Sequence, residues 1–269
     1  LGYDENVVPN VIVTGKNPGS WADGIRVAIL DCKADQILEL PATGIATVGF
    51  GVTQAIDSVL PGVGAGTTLD GVLKGIITQV EGAQAYIKVV SHVSAAGTET
   101  AVDYQQNGIY QFGTSNNITV VTNAGVAAAH TSVNATADWF DQQTLATSTN
   151  NVGVGTSVAT IQWNILADRP GTSDYASARG SRFDEVHVVV IDGDGDITGN
   201  SGTVLEKNLS LSKAKDAEYS LGSPSYWRKF TANSSQYIFA GSQPAGIVTG
   251  PDGGNASAAL LASLLHDGV

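Results

Sequence analysis

The chain has 269 residues, of which 42% are hydrophobic, and its formal net charge is −12 with only 13 basic residues. This length suffices for one large domain or two modest ones. A surface so acidic repels phosphate groups, which argues against nucleic acid or an anionic membrane as a partner. No apolar run reaches the ~20 residues that a membrane-spanning helix requires.

Two residue counts bear on the origin of the chain. A single cysteine, Cys32, excludes an intrachain disulfide, and we expect it to pack as a small buried thiol. The chain contains no methionine, not even at position 1. We therefore expect a fragment, a processed product or a trimmed chain.

The first forty residues predict two strands separated by a turn. Val7–Thr14 is rich in β-branched residues and predicts a strand broken by a proline. Asn17-Pro18-Gly19 predicts a turn, after which Ser20 is expected to cap one helical turn. Ile25–Leu30 predicts a second, mostly buried strand.

Residues 41–135 predict a separate β-rich domain. Segments rich in Gly, Ala and Thr, near 41–68 and 123–136, are interpreted as linkers. Turn residues recur about every ten positions between them, which is typical of a small barrel or sandwich. The predicted strands are Leu73–Val80, Ala85–Val93, Val102–Phe112 and Ile118–Val121.

The remaining chain predicts a return to mixed structure. A short helix is expected from Asp138, strands over Ile161–Leu166 and Glu185–Ile191, and a loop over 169–173. The apolar spacing of 255–266 predicts a helix.

The whole pattern predicts a β-rich α+β fold. Residues 1–40 and 136–250 are expected to form a discontinuous α+β domain, and residues 41–135 an inserted small β-barrel or sandwich. Residues 251–269 are expected to begin a following helical segment.

The acidic run Asp192-Gly193-Asp194-Gly195-Asp196 admits two interpretations. Carboxylates at alternate loop positions can bind calcium, but the sixth and twelfth positions are Ile197 and Thr203, where that loop needs glycine and glutamate. Asp-Gly between two strands favours a hairpin turn. We adopt the hairpin and keep calcium as the alternative.

No other motif predicts chemistry. Residues 62–67 have the glycines of a phosphate loop but no Gly-Lys-Ser/Thr, so we interpret them as a linker. Ser210-x-x-Lys213 lacks the two partner motifs of the serine enzymes that it formally matches. The histidines have no metal-ligand spacing among themselves or with Cys32; they are His92, His130, His187 and His266. We predict no catalytic, cofactor-binding or metal-binding residue, and hence no enzyme.

Large aromatic residues are expected to anchor the core, and some of them to form contacts between subunits. They are Trp21, Trp139, Trp163, Trp227, Tyr226, Phe230, Tyr237 and Phe239.

Five segments in sequence order carry a family resemblance. They are NPGSWADGIRVAILD (17–31), DWFDQQTL (138–145), residues 161–199, residues 202–220 and YWRKFTANSSQYIF (226–239), about 95 residues in all. Together they resemble the contractile tail sheath proteins of T-even-like bacteriophages. Residues 41–130 match that family only in general character.

The resemblance implies a structural virion protein, assembled in the host cytoplasm, that surrounds a rigid tail tube. Sheath subunits stack as rings in an extended metastable state and contract to drive the tube through the host envelope. Differences in contacts between subunits supply the energy, without nucleotide hydrolysis. The implied partners are copies of the chain itself, the tail tube and the baseplate.

Terminal arms of sheath subunits add strands to the sheets of neighbouring subunits, which is a form of β-augmentation. This chain is expected to lack both arms and the domain that faces the tube. We therefore expect the outer domains of the subunit, monomeric in isolation.

Two other functional classes stay open. One is a carbohydrate- or host-receptor-binding β-module whose active part is the 41–130 insertion. The other is a hydrolase with a dispersed site, which requires Cys32 or a serine to lie beside a histidine in the folded chain.

Overall fold

The computed structural model describes residues 13–17, 19–39, 46–59, 68–104, 110–113, 118–121, 127–130, 135–147, 159–240 and 260–263. The chain divides into two compact units. Unit 1 comprises residues 1–32, 143–252 and 256–269, and unit 2 comprises residues 33–142 and 253–255. Strands are the main element of both, so the β-rich character predicted from the sequence is confirmed.

The strands in chain order are β1 (Val13–Gly15), β2 (Ile25–Asp31), β3 (Gln36–Glu39), β4 (Gly51–Val59), β5 (Thr68–Glu81), β6 (Gln84–Val93), β7 (Glu99–Ala101), β8 (Ile118–Val121), β9 (Ala127–His130), β10 (Ala135–Asp138), β11 (Thr144–Ala146), β12 (Thr160–Gln162), β13 (Glu185–Asp192), β14 (Thr203–Ser212), β15 (Glu218–Ser220), β16 (Ser223–Pro224), β17 (Ile238–Ala240) and β18 (Leu260–Ser263). The helices are α1 (Trp163–Leu166), α2 (Asp174–Ser177) and α3 (Trp227–Ser234). Two 3-10 helices cover Ser20–Ala22 and Phe140–Gln142.

Unit 2 contains one eight-stranded antiparallel sheet in the order β10-β3-β6-β5-β4-β8-β9, with β7 paired to β6. Strand β8 alternates buried and partly exposed residues, as expected when one face covers a core. The core includes Leu38, Val52, Leu73, Ile77, Ile87, Phe112 and Val120.

Several predictions in this region are wrong. The supposed linkers contain strands, because β4 lies within 41–68 and both β9 and the start of β10 lie within 123–136. The predicted strand Val102–Phe112 is absent from its described residues, 102–104 and 110–112. Two buried glutamines take the place of a neighbouring strand there. The Gln36 amide bonds both the N–H and the C=O of Phe112 (2.7 and 3.0 Å), and Gln54 does the same for Gly113.

Unit 1 is built on a four-stranded antiparallel sheet in the order β14-β13-β2-β18. Strands β2 and β13 are buried along almost their whole length, which explains their continuous apolar sequences. The core includes Val27, Ile29, Val186, Val188, Val190, Leu211, Trp227 and Ile238. Three two-stranded pairs complete the unit, namely β1–β17, β11–β12 and β15–β16.

Local predictions in unit 1 need three corrections. Ile161–Leu166 is not one strand, because β12 ends at Gln162 and α1 follows, which buries Trp163 and leaves Ile165 69% exposed. Ser20 does not cap a helix; it is the first residue of the 3-10 helix, and Gly19 precedes it without a side-chain cap. Leu260–Ser263, predicted as helix, is a strand. The other residues of 251–269 lie outside the described residues, as does most of the predicted strand Val7–Thr14.

Candidate functional site

The acidic run after β13 forms a structural loop around one carboxylate. Asp192 accepts hydrogen bonds from the backbone N–H of Gly195 (3.0 Å), Ile197 (3.2 Å) and Thr198 (2.7 Å), and from the Thr198 hydroxyl (2.7 Å). Burial raises the pKa of Asp192, but these hydrogen bonds outweigh burial and hold its pKa below the ordinary value. Strands β13 and β14 pair antiparallel through residues 193–202, so the predicted hairpin is confirmed, with a connection of ten residues.

His187 is a packed core residue on β13, held in one tautomer. Its Nδ1 accepts a hydrogen bond from the N–H of Ser210 (2.9 Å), so Nε2 carries the proton and donates to the carbonyl of Asp168 (2.8 Å). A bulge in β14, where Ser210 has a φ of 51°, brings that N–H to the ring. Burial lowers the pKa of His187 and favours the neutral ring.

The other histidines, the cysteine and the Ser-x-x-Lys motif that the sequence analysis considered each lie in a different environment. His92 lies 2.8 Å from the Asp70 carbonyl, and Cys32 is buried, as expected. Lys213, the lysine of the Ser210-x-x-Lys213 motif, is buried and forms an ion pair with Asp31. Within the described part of the chain, no group of His, Cys, Asp and Glu is arranged to hold a metal ion. Residues 62–67, His266 and the side chain of His130 lie outside the described residues.

A second polar cluster joins the loop before α2 to the start of β13. Asp184 accepts hydrogen bonds from the N–H (2.8 Å) and hydroxyl (2.7 Å) of Ser173, and from the Ser212 hydroxyl. Glu185 accepts one from the N–H of Gly171 (2.7 Å). Burial, and then the charges of Asp184 and Asp174, raise the pKa of Glu185.

Buried ion pairs are the feature that sequence reasoning missed. The Lys88 ammonium lies 2.8 Å from the Asp35 carboxylate, with the two side chains 6% and 1% exposed. The other carboxylate oxygen of Asp35 accepts the N–H of Val89 (2.8 Å). The signal was the Asp31-Cys32-Lys33-Ala34-Asp35 segment, where charged residues follow directly on a buried strand.

The edge of β2 opposite β13 is the candidate functional site, because a strand from a distant part of the chain occupies it. Leu260 pairs with Ile29, Leu261 with Ala28, Ala262 with Val27 and Ser263 with Arg26, all antiparallel. We call this edge, Arg26–Ile29, the strand slot. Without β18, this edge would present unpaired backbone donors and acceptors that another extended segment could satisfy.

Comparison with known proteins identifies no relative of this chain. No protein-family model matches the chain, and comparison with curated proteins and with solved structures gives no match either. None of the described helices has the length and hydrophobicity that crossing a bilayer requires.

Proposed function

We propose that this chain is a structural subunit of a contractile tail sheath, which acts through contacts with copies of itself and carries no reaction centre. The observation that supports this most directly is the occupied strand slot. A segment remote in sequence from β2 is held there by backbone pairing, the interaction by which sheath subunits are joined.

The strand slot supports assembly for a physical reason. Main-chain hydrogen bonds give affinity with little dependence on sequence, so a strand equivalent to β18 from a neighbouring copy can make the same pairing. In such an exchange the donor strand of one copy meets the slot of the next, and donor and slot are different segments, so the contact is head-to-tail. Repeated head-to-tail contacts give rings or open helical polymers.

The proposal includes the finer organisation of the chain. Unit 1 is the α+β sheath domain, and unit 2 is a β-rich domain inserted into it. The chain works in the virion, with copies of itself, the tail tube and the baseplate as partners. In isolation β18 fills its own slot, and the chain is monomeric.

Truncation tests the strand slot. A chain without residues 256–269 has an unoccupied β2 edge and no donor strand, so we expect it to pair edge to edge with a second truncated copy and to bind a labelled peptide of residues 256–269. Fluorescence anisotropy measures binding of the peptide, and sedimentation velocity measures self-association of the truncated chain. The matched control peptide carries Leu261→Pro and Ala262→Pro, which remove backbone donors from the strand. If the truncated chain stays monomeric and binds neither peptide, the β2 edge does not act as a strand slot.

Electron microscopy tests the function itself. Expressed with any residues that its reading frame adds at either end, the chain should form hollow tubes wide enough to enclose a rigid inner tube. Dispersed particles under all assembly conditions, together with a measurable enzymatic turnover, would overturn the proposal.

A further inference from the structure

Unit 1 carries a surface pocket that the proposed function does not use. Its volume is about 370 Å³, within the range of small-molecule sites. Three separate segments line it: the turn after β1, the 193–202 loop and the turn before β17. The lining residues are Asn17, Trp21, Asp196, Ile197, Gln236 and Tyr237.

Two partly exposed aromatic rings form the apolar part of the pocket. The Trp21 and Tyr237 rings lie 6.3 Å apart in an edge-to-face arrangement with an interplanar angle of 62°. Gly19 makes room for the indole, because a Cβ at that position would lie 2.5 Å from Trp21 Cδ1. Both rings are only partly buried, so the pair leaves some aromatic surface exposed to a ligand.

The backbone around the pocket is fixed by internal hydrogen bonds. The Asp192 carboxylate holds the N–H of Ile197, as described above. The Ser235 hydroxyl accepts from the N–H of Tyr237 (3.1 Å) and of Ile238 (3.0 Å). The N–H of Lys16 donates to the Tyr237 carbonyl (2.8 Å). A site held in this way binds without the entropic cost of ordering its loops.

The polar side chains of the lining have unused hydrogen-bonding capacity. Asn17, Asp196 and Gln236 are exposed, and their side chains have no hydrogen-bond partner among the residues that the structure describes. The two amides supply donors and acceptors, and the carboxylate supplies acceptors. A ligand hydroxyl can use both, because it donates one hydrogen bond and accepts others. Among the described residues that line the pocket there is no cation, and the nearby Lys16 ammonium is bound by the carbonyls of Ala232 and Ser235.

We infer that this pocket binds a neutral saccharide, with a sugar ring against Trp21 and Tyr237 and its hydroxyls bonded by Asn17, Asp196 and Gln236. Aromatic faces suit the C–H faces of a pyranose, and the amides and carboxylate suit its rim. The single charge of the lining is negative, which disfavours acidic sugars. All the lining residues belong to unit 1, whereas the receptor-binding alternative named above places its active part in the 41–130 segment.

Ligand titration of the whole chain tests the site. The probes are glucose, galactose, N-acetylglucosamine and maltose, with sialic acid as the anionic comparison. Trp139, Trp163 and Trp227 are fully buried, so a change in tryptophan fluorescence reports mainly on Trp21. Saturation-transfer NMR provides a second readout. We expect at least one neutral probe to bind at millimolar concentration or below, and sialic acid to bind more weakly.

Variants assign the binding to this pocket. Trp21→Ala and Tyr237→Ala should each weaken binding at least about tenfold. The double variant Asn17→Ala/Gln236→Ala changes only exposed side chains, so it keeps the test valid if an aromatic variant unfolds. Tyr219→Ala is the matched control, because it removes a 57% exposed tyrosine outside the lining and should leave binding unchanged. No response to any neutral probe, a response that survives these variants, or a preference for sialic acid overturns the inference.

Discussion

At the scale of single residues, the chain places several charged groups where water does not reach them. Lys88 with Asp35 and Lys213 with Asp31 are both almost fully buried. Such pairs are costly to desolvate, and each partner is tolerated only because the other is present. One pair joins the residue before β3 to the middle of β6, and the other joins the end of β2 to the residue after β14.

The Lys88–Asp35 pair gives a stability prediction. Lys88→Met removes the Lys88 ammonium from the buried Asp35 carboxylate, and should lower the free energy of unfolding by ~3–5 kcal/mol. Urea unfolding followed by circular dichroism measures the change. Lys74→Met is the matched control, since Lys74 pairs with Glu99 in an exposed ion pair, and its effect should be far smaller. Equal effects of the two variants would show that burial does not govern the Lys88 pair.

Asp192 gives a pH prediction. Its pKa in the folded chain lies below the ordinary value of about 3.9, so its ionised form stabilises the fold above that pH, and the stabilisation is lost as pH falls through the folded value. Asp192→Asn should therefore destabilise the chain more at about pH 6 than at about pH 2.5. Thermal unfolding across this range measures it. Asp23→Asn, at an exposed aspartate, is the control. A destabilisation that does not change with pH would exclude the carboxylate charge as its cause.

At the scale of elements, backbone pairing is completed by unusual partners. Strands β5, β6 and β8 lie where the sequence predicts strands. Residues 112–113, by contrast, form their backbone hydrogen bonds with the side chains of Gln36 and Gln54. Each buried backbone N–H or C=O that lacks such a partner destabilises the folded chain. An apolar sequence therefore predicts burial of this segment, but not the strand pairing.

Gln36 tests this arrangement. Gln36→Leu keeps the size and burial of the side chain but leaves the N–H and C=O of Phe112 unpaired, at a cost of ~1–3 kcal/mol for each group. Chemical unfolding should show the loss, and hydrogen exchange should show faster exchange of the Phe112 amide. Gln84→Leu, at an exposed position of β6, is the control and should alter neither. Unchanged protection of the Phe112 amide in Gln36→Leu would contradict the role of the side chain.

At the scale of the whole molecule, the negative charge and the self-filled strand slot both oppose association. A net charge of −12 makes copies of the chain repel one another, and β18 occupies the edge that a neighbour would use. Assembly in the proposed sheath then depends on replacing the internal strand with one from another copy.

Sedimentation velocity tests the monomeric state. The intact chain should sediment as a single species of 27.6 kDa at low and at raised salt. Salt screens the repulsion between copies but leaves the strand slot filled, so the mass should not change. A stable long helical polymer of the intact chain would contradict both the monomeric state and the self-filled slot.

The sequence by itself determined the elements whose burial is uniform. Ile25–Leu30 and Glu185–Ile191 were predicted as strands and are β2 and β13, because a strand that is buried on both faces has a nearly continuous apolar sequence. The Leu73–Val80 and Ala85–Val93 hairpin and the Ile118–Val121 strand were also predicted, since their alternation and turns are local signals.

Only the tertiary structure decided the rest, because the deciding partners lie far away in sequence. Leu260–Ser263 has helical spacing, yet pairing with β2 makes it a strand. Lys213 finds its carboxylate 182 positions earlier, at Asp31. The pocket of Trp21 and Tyr237 is likewise assembled from three distant turns. Local patterns record a residue's preference for burial or exposure, whereas long-range contacts choose the group that satisfies it.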